Sequence, residues 1–453
     1  MAPSLQAIFD RGHLVGERAR AQFPGGTLID RDHVQYAEKL ADTRAALAAG
    51  APAIYEASFS ADGVFAAVDV LERRHGGFGI VEVKSTVETK PPHLPDAAIQ
   101  LHVLRAAGLD VSRVEVMHLN RDCRFPDLSN LFVRDDVTAA AEAFLPSIPG
   151  HLARMRAALA GPLPVVEIGP HCDDPHECPF KARCWPEVGD DHVSHLYYAS
   201  RVAGPLLAAG IASIRDIPDG AKLSEVQARQ VRATRSGQVV VEGDLARTLA
   251  TLVPPIAYLD FETIAPAIPA WNGCGPYMAV PVQLSAHVVG ATGATRHHEH
   301  LAGGPADPRP AMAEAVLRAC TEARTVVAYN ASFERRCIEH LAENVPSRRG
   351  ALLEVTRKLV DLLPMVRNHV YHPGFGGSFS MKAVAPALVP GLDYAGLEIG
   401  EGGTASNALE ALLLGGPAMS AAERDTVRAH LLEYCALDTL AMVKVVERLR
   451  ELA

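Results

Sequence analysis

Apolar and polar positions fall into two separate sets of short strands, each followed by stretches of helical period. Residues 63–71 and 78–86 are apolar runs with single charged positions set into them and a Gly-containing stretch between. They predict a hairpin of largely buried strands. Residues 96–105 repeat apolar positions at helical spacing and are closed by Gly108, and 113–119 is a further strand. The second set opens at 256–259, an apolar run leading into Asp260, Phe261 and Glu262. Residues 325–330 predict another strand, 331–334 a helix start with Ser332 as cap, and 378–384 a further helix start. The segment around Tyr434 and Asp438 has helical spacing. Between the sets, 206–218 predicts helix, Gly turn and short helix, and 223–232 a helix capped by Ser224. The fold class is α/β (α+β), divided into 1–165, a cysteine-bearing stretch 166–190, a helical connector 191–252, and 253–453. The chain holds no internal repeat, coiled coil or long low-complexity segment.

At 453 residues the chain exceeds what one core supports, since cores seldom grow past ~250–300 residues. A composition of 48% hydrophobic and 21% charged residues is ordinary for a soluble globular protein. No apolar stretch approaches the ~20 residues that span a membrane. The first residues lack the basic and apolar blocks of a signal peptide. A cytoplasmic location without a membrane partner is the expectation. The net charge of −10 argues against a strongly basic nucleic-acid coat, but a local basic groove can sit within an acidic total. In such a chain the eight Cys are expected as thiols or metal ligands, not disulfides.

The chemistry concentrates in a few acids. Alternation along a strand puts Asp260 and Glu262 on one face. Neighbouring carboxylates repel, which raises a pKa unless a cation lies between them, and hard ions such as Mg²⁺ or Mn²⁺ take such oxygens. The spacing of Tyr434 and Asp438 puts both on one helix face, an acid to ligate and a phenol to orient an attacking water. Either pair alone is commonplace in structural roles. The ordered set is not: strand acids, then Asn330 with Phe333-Glu334 at a helix start, then Tyr434 and Asp438. It resembles the proofreading-type 3′→5′ exonucleases of the DEDD superfamily, tyrosine subtype, a DnaQ-like, RNase H-like fold, over 254–453. That resemblance implies Asp260, Glu262, Glu334 and Asp438 as metal-binding acids and Tyr434 as the water-positioning group. Glu334 departs from the Asp usual in that family. Asn330 and Lys382 are expected at the nucleic acid, Lys382 through a phosphate.

A second constellation lies upstream. Asp69 and Glu82 are placed for a hairpin to bring them together, and Lys84 shares a face with Glu82. Two acids can hold a metal, and Lys84 can polarise water or offset developing charge. The plain alternative for Glu82 and Lys84 is a surface ion pair. In order, the strands and helix resemble the RecB-like branch of the PD-(D/E)xK nucleases, which implies His13 as a further metal ligand and Gln100 as the branch's helix glutamine at the nucleic acid. The Tyr usual later on that helix is missing. Glu56 can face the same pocket or serve structure.

Cys172, Cys178 and Cys184 follow at equal spacing in a loop interrupted by Pro179. Thiolates so placed suit zinc or an iron–sulfur cluster. Resemblance to iron–sulfur RecB-like nucleases implies [4Fe–4S] with a fourth, early Cys. No Cys precedes Cys123 here, which leaves three readings: a start that is truncated or misassigned, a non-Cys ligand such as His171 or His176, or a lost cluster with the thiols as remnants. The whole chain resembles an uncharacterised bacterial family that fuses such a nuclease to a DEDD exonuclease-like domain. The implied function is metal-dependent phosphodiester hydrolysis, a DNA 3′→5′ exonuclease with a second, RecB-like site, using Mg²⁺ or Mn²⁺. The competing expectation is a non-catalytic nucleic-acid-binding or scaffold protein with degenerate sites. Arg229, Arg232 and Arg235 suggest a DNA-backbone contact in the connector, against a purely helical spacer.

Overall fold

The structure is a computed structural model that describes residues 3–174, 176–184, 187–415 and 419–453. It is mixed α/β and divides into two compact units, Met1–Pro186 with Pro266–Met278, and Glu187–Ala265 with Ala279–Ala453. Among the described residues no helix is long and apolar enough to cross a membrane.

The first unit contains strands β1 (Thr27–Leu28), β2 (Ala53–Ala61), β3 (Val64–Arg74), β4 (Gly77–Lys84), β5 (Val111–Leu119) and β6 (Phe132–Asp136). Its helices are α1 (Pro3–Arg20), α2 (Tyr36–Ala48), α3 (His93–Ala106), α4 (Thr138–Phe144), α5 (Ile148–Ala160) and α6 (Lys181–Cys184). The strands form one sheet in sequential order. β2, β3 and β4 are antiparallel neighbours, and β4 runs parallel to β5 after a crossover through α3. Ile80 packs with Ala97, Leu101 and Leu104 of α3, whereas Val81 packs with Ala19 of α1. Alternation therefore sends Glu82 and Lys84 to the α3 face and Val81 and Val83 to the α1 face.

The second unit contains β7 (Val240–Val241), β8 (Ile256–Ile264), β9 (Val280–Val289), β10 (Thr295–Leu301), β11 (Thr325–Ala328), β12 (Leu359–Asp361) and β13 (Val370–Tyr371). Its helices are α7 (Ala203–Ala208), α8 (Glu225–Ser236), α9 (Leu245–Leu249), α10 (Arg309–Cys320), α11 (Ser332–Asn344), α12 (Arg349–Arg357), α13 (Leu362–His369), α14 (Met381–Leu388), α15 (Gly402–Leu414) and α16 (Ala421–Leu452). The main sheet has the order β10-β9-β8-β11-β12, antiparallel on the β9 side of β8 and parallel on the β11 side. Ile256 and Tyr258 pack with Val366, Val384 and Met442, and so lie on the face covered by α13, α14 and α16. Ala257, Leu259 and Phe261 pack with Met312, Val316 and Ile338 on the face covered by α10 and α11. Cover on both faces is why 256–259 is an unbroken apolar run. The row begun by Ile256 and Tyr258 continues into Asp260 and Glu262, so both acids face α16.

Local signals set the helix starts. Ser224 and Gln227 form a capping box on α8, and Ser420 and Glu423 form one on α16. The expected Ser332 cap does not form. α11 starts from Ala331 without a side-chain cap bond, because Asn330 turns at φ 66° and its N–H donates to Asp361 Oδ1 at 2.9 Å. Gly377, at φ 80°, admits the chain into α14; a Cβ there would meet the His195 carbonyl at 2.0 Å.

Candidate metal centre

Strand β8 and helix α16 bring three carboxylates together. One ligand oxygen each from Asp260, Glu262 and Asp438 lie within 4.8 Å of one another, and among the described residues this is the group of three or more possible metal ligands so assembled. Asp438 reaches it from α16, one turn after Tyr434, which is buried. Glu334 stands in the first turn of α11, 3% exposed, outside that 4.8 Å group but close enough to bear electrostatically on Asp260 and Glu262. Its Oε2 is buried without a hydrogen-bond partner. A buried carboxylate oxygen left unpaired is costly, and a shared cation is the group that would satisfy it. The donor set is all oxygen, the chemistry of Mg²⁺ or Mn²⁺.

The electrostatics agree with that chemistry. Burial, then the charges of Asp438, Glu262 and Glu334, push Asp260 well above the usual carboxylate range. Burial and Asp438 push Glu262 up to about 8. Burial pushes Glu334 up to about 8 as well. Burial also raises Asp438, while the phenols of Tyr394 and Tyr434 and the Lys382 ammonium pull it part of the way back. Burial and the surrounding acids hold both phenols above their ordinary pKa. The Lys382 ammonium stands 5.3 Å from the Tyr434 ring centre and 5.9 Å from that of Tyr394.

Two contacts here escape sequence reasoning. Tyr394 donates its phenol to Asp438 Oδ1 at 2.7 Å, and the Cys435 thiol donates to Asp260 Oδ2 at 3.6 Å. Cys435 reads as an ordinary packing residue, though it sits inside the Tyr434–Asp438 spacing. Tyr394 lies in the stretch between α14 and α15, which carries no periodic pattern. Asn330 is exposed in the turn before α11, and its expected place at a nucleic acid has no further structural counterpart among the described contacts.

The upstream constellation assembles differently. The register Val70↔Val81, carried one step further, sets Asp69 opposite Glu82. Asp69 Oδ2 accepts from the Val83 N–H at 2.7 Å. Lys84 donates to Glu82 Oε1 at 2.7 Å and to Asp96 Oδ2 at 2.6 Å, and Gln100 Nε2 donates to Glu82 Oε2 at 2.7 Å. Burial and Glu82 hold Asp69 well above its usual range, and burial raises Glu82 against the pull of Lys84. Burial opposes the Lys84 charge, but Glu82 and Asp96 keep its pKa above the ordinary value. Glu56, at φ 57° on β2, bears on Asp69 and pairs with Arg20 at 3.4 Å.

One expectation is corrected, and two further sets of residues take the places that follow. His13 does not join Asp69 and Glu82, because it is exposed on α1 and α1 packs on the Val81 face, opposite Glu82. Gln100 is 5% exposed and its side-chain amide is engaged with Glu82. Of the arginines of α8, Arg229 is buried on Glu242 and the carbonyls of Arg367 and Asn368, while Arg232, paired with Glu242, and Arg235, paired with Asp219, keep exposed side chains. The cysteine loop keeps Cys172, Cys178 and Cys184 as free thiols, and they line, with His171, a cavity of about 420 Å³. Their sulfurs do not all lie within 4.8 Å of one another.

Residues 257–380 match a family described as "Domain of unknown function (DUF2779)". The matched stretch holds Asp260, Glu262 and Glu334 and ends before Lys382, Tyr394, Tyr434 and Asp438. No curated protein and no solved structure matches the chain.

Proposed function

We propose that the second unit is a divalent-metal-dependent nuclease of the DEDD exonuclease type, hydrolysing DNA from a single-stranded 3′ end with Mg²⁺ or Mn²⁺. The observation that carries the reading is the convergence of Asp260, Glu262 and Asp438 within 4.8 Å, with the buried Glu334 Oε2 lacking any partner. Four acids facing one ammonium cannot all hold their charge without added cations. Asp260, Glu262, Glu334 and Asp438 would hold the ions, and the chemistry those ions supply is activation of the attacking water and stabilisation of the departing oxygen. Tyr434, one turn from Asp438, orients that water. Lys382, exposed beside the phenol rings, meets the phosphate. The water oxygen bonds to phosphorus as the bond from phosphorus to the neighbouring 3′ oxygen breaks; that oxygen takes up a proton, and a nucleoside 5′-monophosphate leaves.

We read Asp69, Glu82 and Lys84 as a second, RecB-like nuclease site, supported by the register that sets the two acids face to face. We read Cys172, Cys178 and Cys184 as a [4Fe–4S] or zinc site, supported by their shared cavity.

The test of the main reading is a gel assay on 5′-labelled single-stranded DNA with Mn²⁺. A ladder of shortened products is expected, abolished by EDTA. Asp260→Asn should slow it by more than the roughly 10–100-fold that loss of a mere outer-shell partner costs. Intact substrate with Mn²⁺ present, together with tight DNA binding, would replace the reading with that of a non-catalytic binding protein.

A further inference from the structure

Each aspartate of the metal centre has one oxygen engaged by a neighbouring side chain. Asp438 Oδ1 accepts the Tyr394 phenol at 2.7 Å, and Asp260 Oδ2 accepts the Cys435 thiol at 3.6 Å. The oxygen left without that bond is the freer one to ligate an ion. Tyr394 is held in place: its ring lies 5.9 Å from the Lys382 ammonium, which also stands over Tyr434. Both aspartates are partly sheltered from solvent, and the hydrogen bond on one oxygen of each takes up one of its lone pairs and draws off electron density, so that oxygen is the poorer ligand for an ion.

That arrangement discriminates between ions. Ca²⁺ takes 6–8 oxygens at roughly 2.3–2.6 Å and reaches that number with carboxylates that bind through one or both oxygens. Mg²⁺ needs a tight octahedron at about 2.0–2.1 Å and binds carboxylates through one oxygen, keeping several waters. Mn²⁺ shares the preference for carboxylate and water ligands. We infer that Tyr394 is a specificity-determining residue, which limits Asp438 to one ligand oxygen and so biases the centre toward small octahedral ions over Ca²⁺. Cys435 acts in the same sense on Asp260. The inference rests on the metal-binding reading above and deepens it. It assigns a function to a residue outside the DUF2779 match, in a stretch without sequence signature.

The experiment is calorimetric titration of the full chain with MnCl₂ and, separately, CaCl₂. Wild type should bind Mn²⁺ more tightly than Ca²⁺. Tyr394→Phe keeps the ring over Lys382 and removes only the hydroxyl; it should narrow the Mn²⁺-to-Ca²⁺ affinity ratio by about tenfold, the order of one hydrogen bond to a charged group. Cys435→Ala should narrow it by a smaller factor, and it decides the matter if Tyr394→Phe does not fold. A residue that merely packs would weaken both ions alike and leave the ratio unmoved; that result overturns the inference and spares the metal reading. A wild-type preference for Ca²⁺ also overturns it. If the wild-type chain takes up neither ion, the metal reading and the inference fall together.

Discussion

Glu262 and Glu334 give the centre its pH behaviour. Burial, aided for Glu262 by Asp438, keeps both protonated up to about 8, against an ordinary value of 4.5. Between those values the folded chain holds protons that the unfolded chain has released. The stability linked to these groups is therefore full at low pH and is lost as pH rises through about 8. The unfolding temperature of the metal-free chain should fall across that window. Mn²⁺ displaces the protons, so its stabilising increment should grow with pH, by up to about tenfold in affinity per unit and proton released. Asp260→Asn, which removes one repelling charge, should raise the metal-free unfolding temperature and abolish the Mn²⁺ increment. Scanning calorimetry at several pH values checks both; a profile that rises with pH and ignores Mn²⁺ would contradict the assignment. At this scale the sequence was readable where chemistry follows local spacing. Asp260 and Glu262 share a face by strand alternation, and Tyr434 and Asp438 by helical spacing. Tyr394 was not readable, because its bond to Asp438 joins positions 44 apart with no pattern around the donor. His13 was misplaced because only the family resemblance put it at the site, and resemblance does not say on which side of the sheet α1 packs here.

Beside the apolar packing of Met442 against Ile256 and Tyr258, a polar row joins α16 to β9. Gln283, Ser285 and His287 alternate along β9 on the face opposite Leu284, Ala286 and Val288, and all three are buried. Gln283 Nε2 donates to the Leu431 carbonyl at 2.6 Å. Thr439 Oγ1 bonds to Ser285 Oγ at 2.7 Å and to His287 Nδ1 at 2.8 Å. Since Ser285 is also the register partner of Asp260, the same few residues that seat α16 set Asp438 across from the strand acids. Thr439→Val keeps the volume and takes the partner from His287 Nδ1, while Ser285 Oγ keeps its bond to His297 Nε2 at 2.9 Å. It should cost about 1–3 kcal/mol in urea unfolding, the range for a buried polar group left unpaired. A loss below about 0.5 kcal/mol would mean that the polar row is incidental to the seating of the helix. The elements themselves were legible from apolar runs and helical spacing: β3, β4, β5, β8 and β11 lie where those runs predicted strands. The seating was not. A row of Gln, Ser and His on one face of a strand reads as a solvated edge, and only the helix returning from far along the chain makes it an interior.

Across the whole molecule the two acid constellations differ in charge balance, and that difference ranks them as metal sites. In the first unit Glu82 already has Lys84 on one oxygen and Gln100 on the other, and Lys84 is shared with Asp96. The local charge is partly compensated, and an incoming ion must displace those bonds. In the second unit Lys382 bears on Glu262 and Asp438 and Arg336 on Glu334, and among the described contacts neither forms an ion pair with the four acids. Uncompensated buried acids gain most from a cation. The same contrast bears on the connector, whose arginines serve its own carbonyls and acids and leave the metal centre's charge untouched. Titration with Mn²⁺ should therefore show its tightest binding lost in Asp260→Asn and retained, within about twofold, in Glu82→Gln, with the ladder on single-stranded DNA following the same division. The opposite pattern, tight binding that survives Asp260→Asn and vanishes with Glu82→Gln, would mean that displacing Lys84 is easier than its bonds suggest and would move the principal metal chemistry to the first unit.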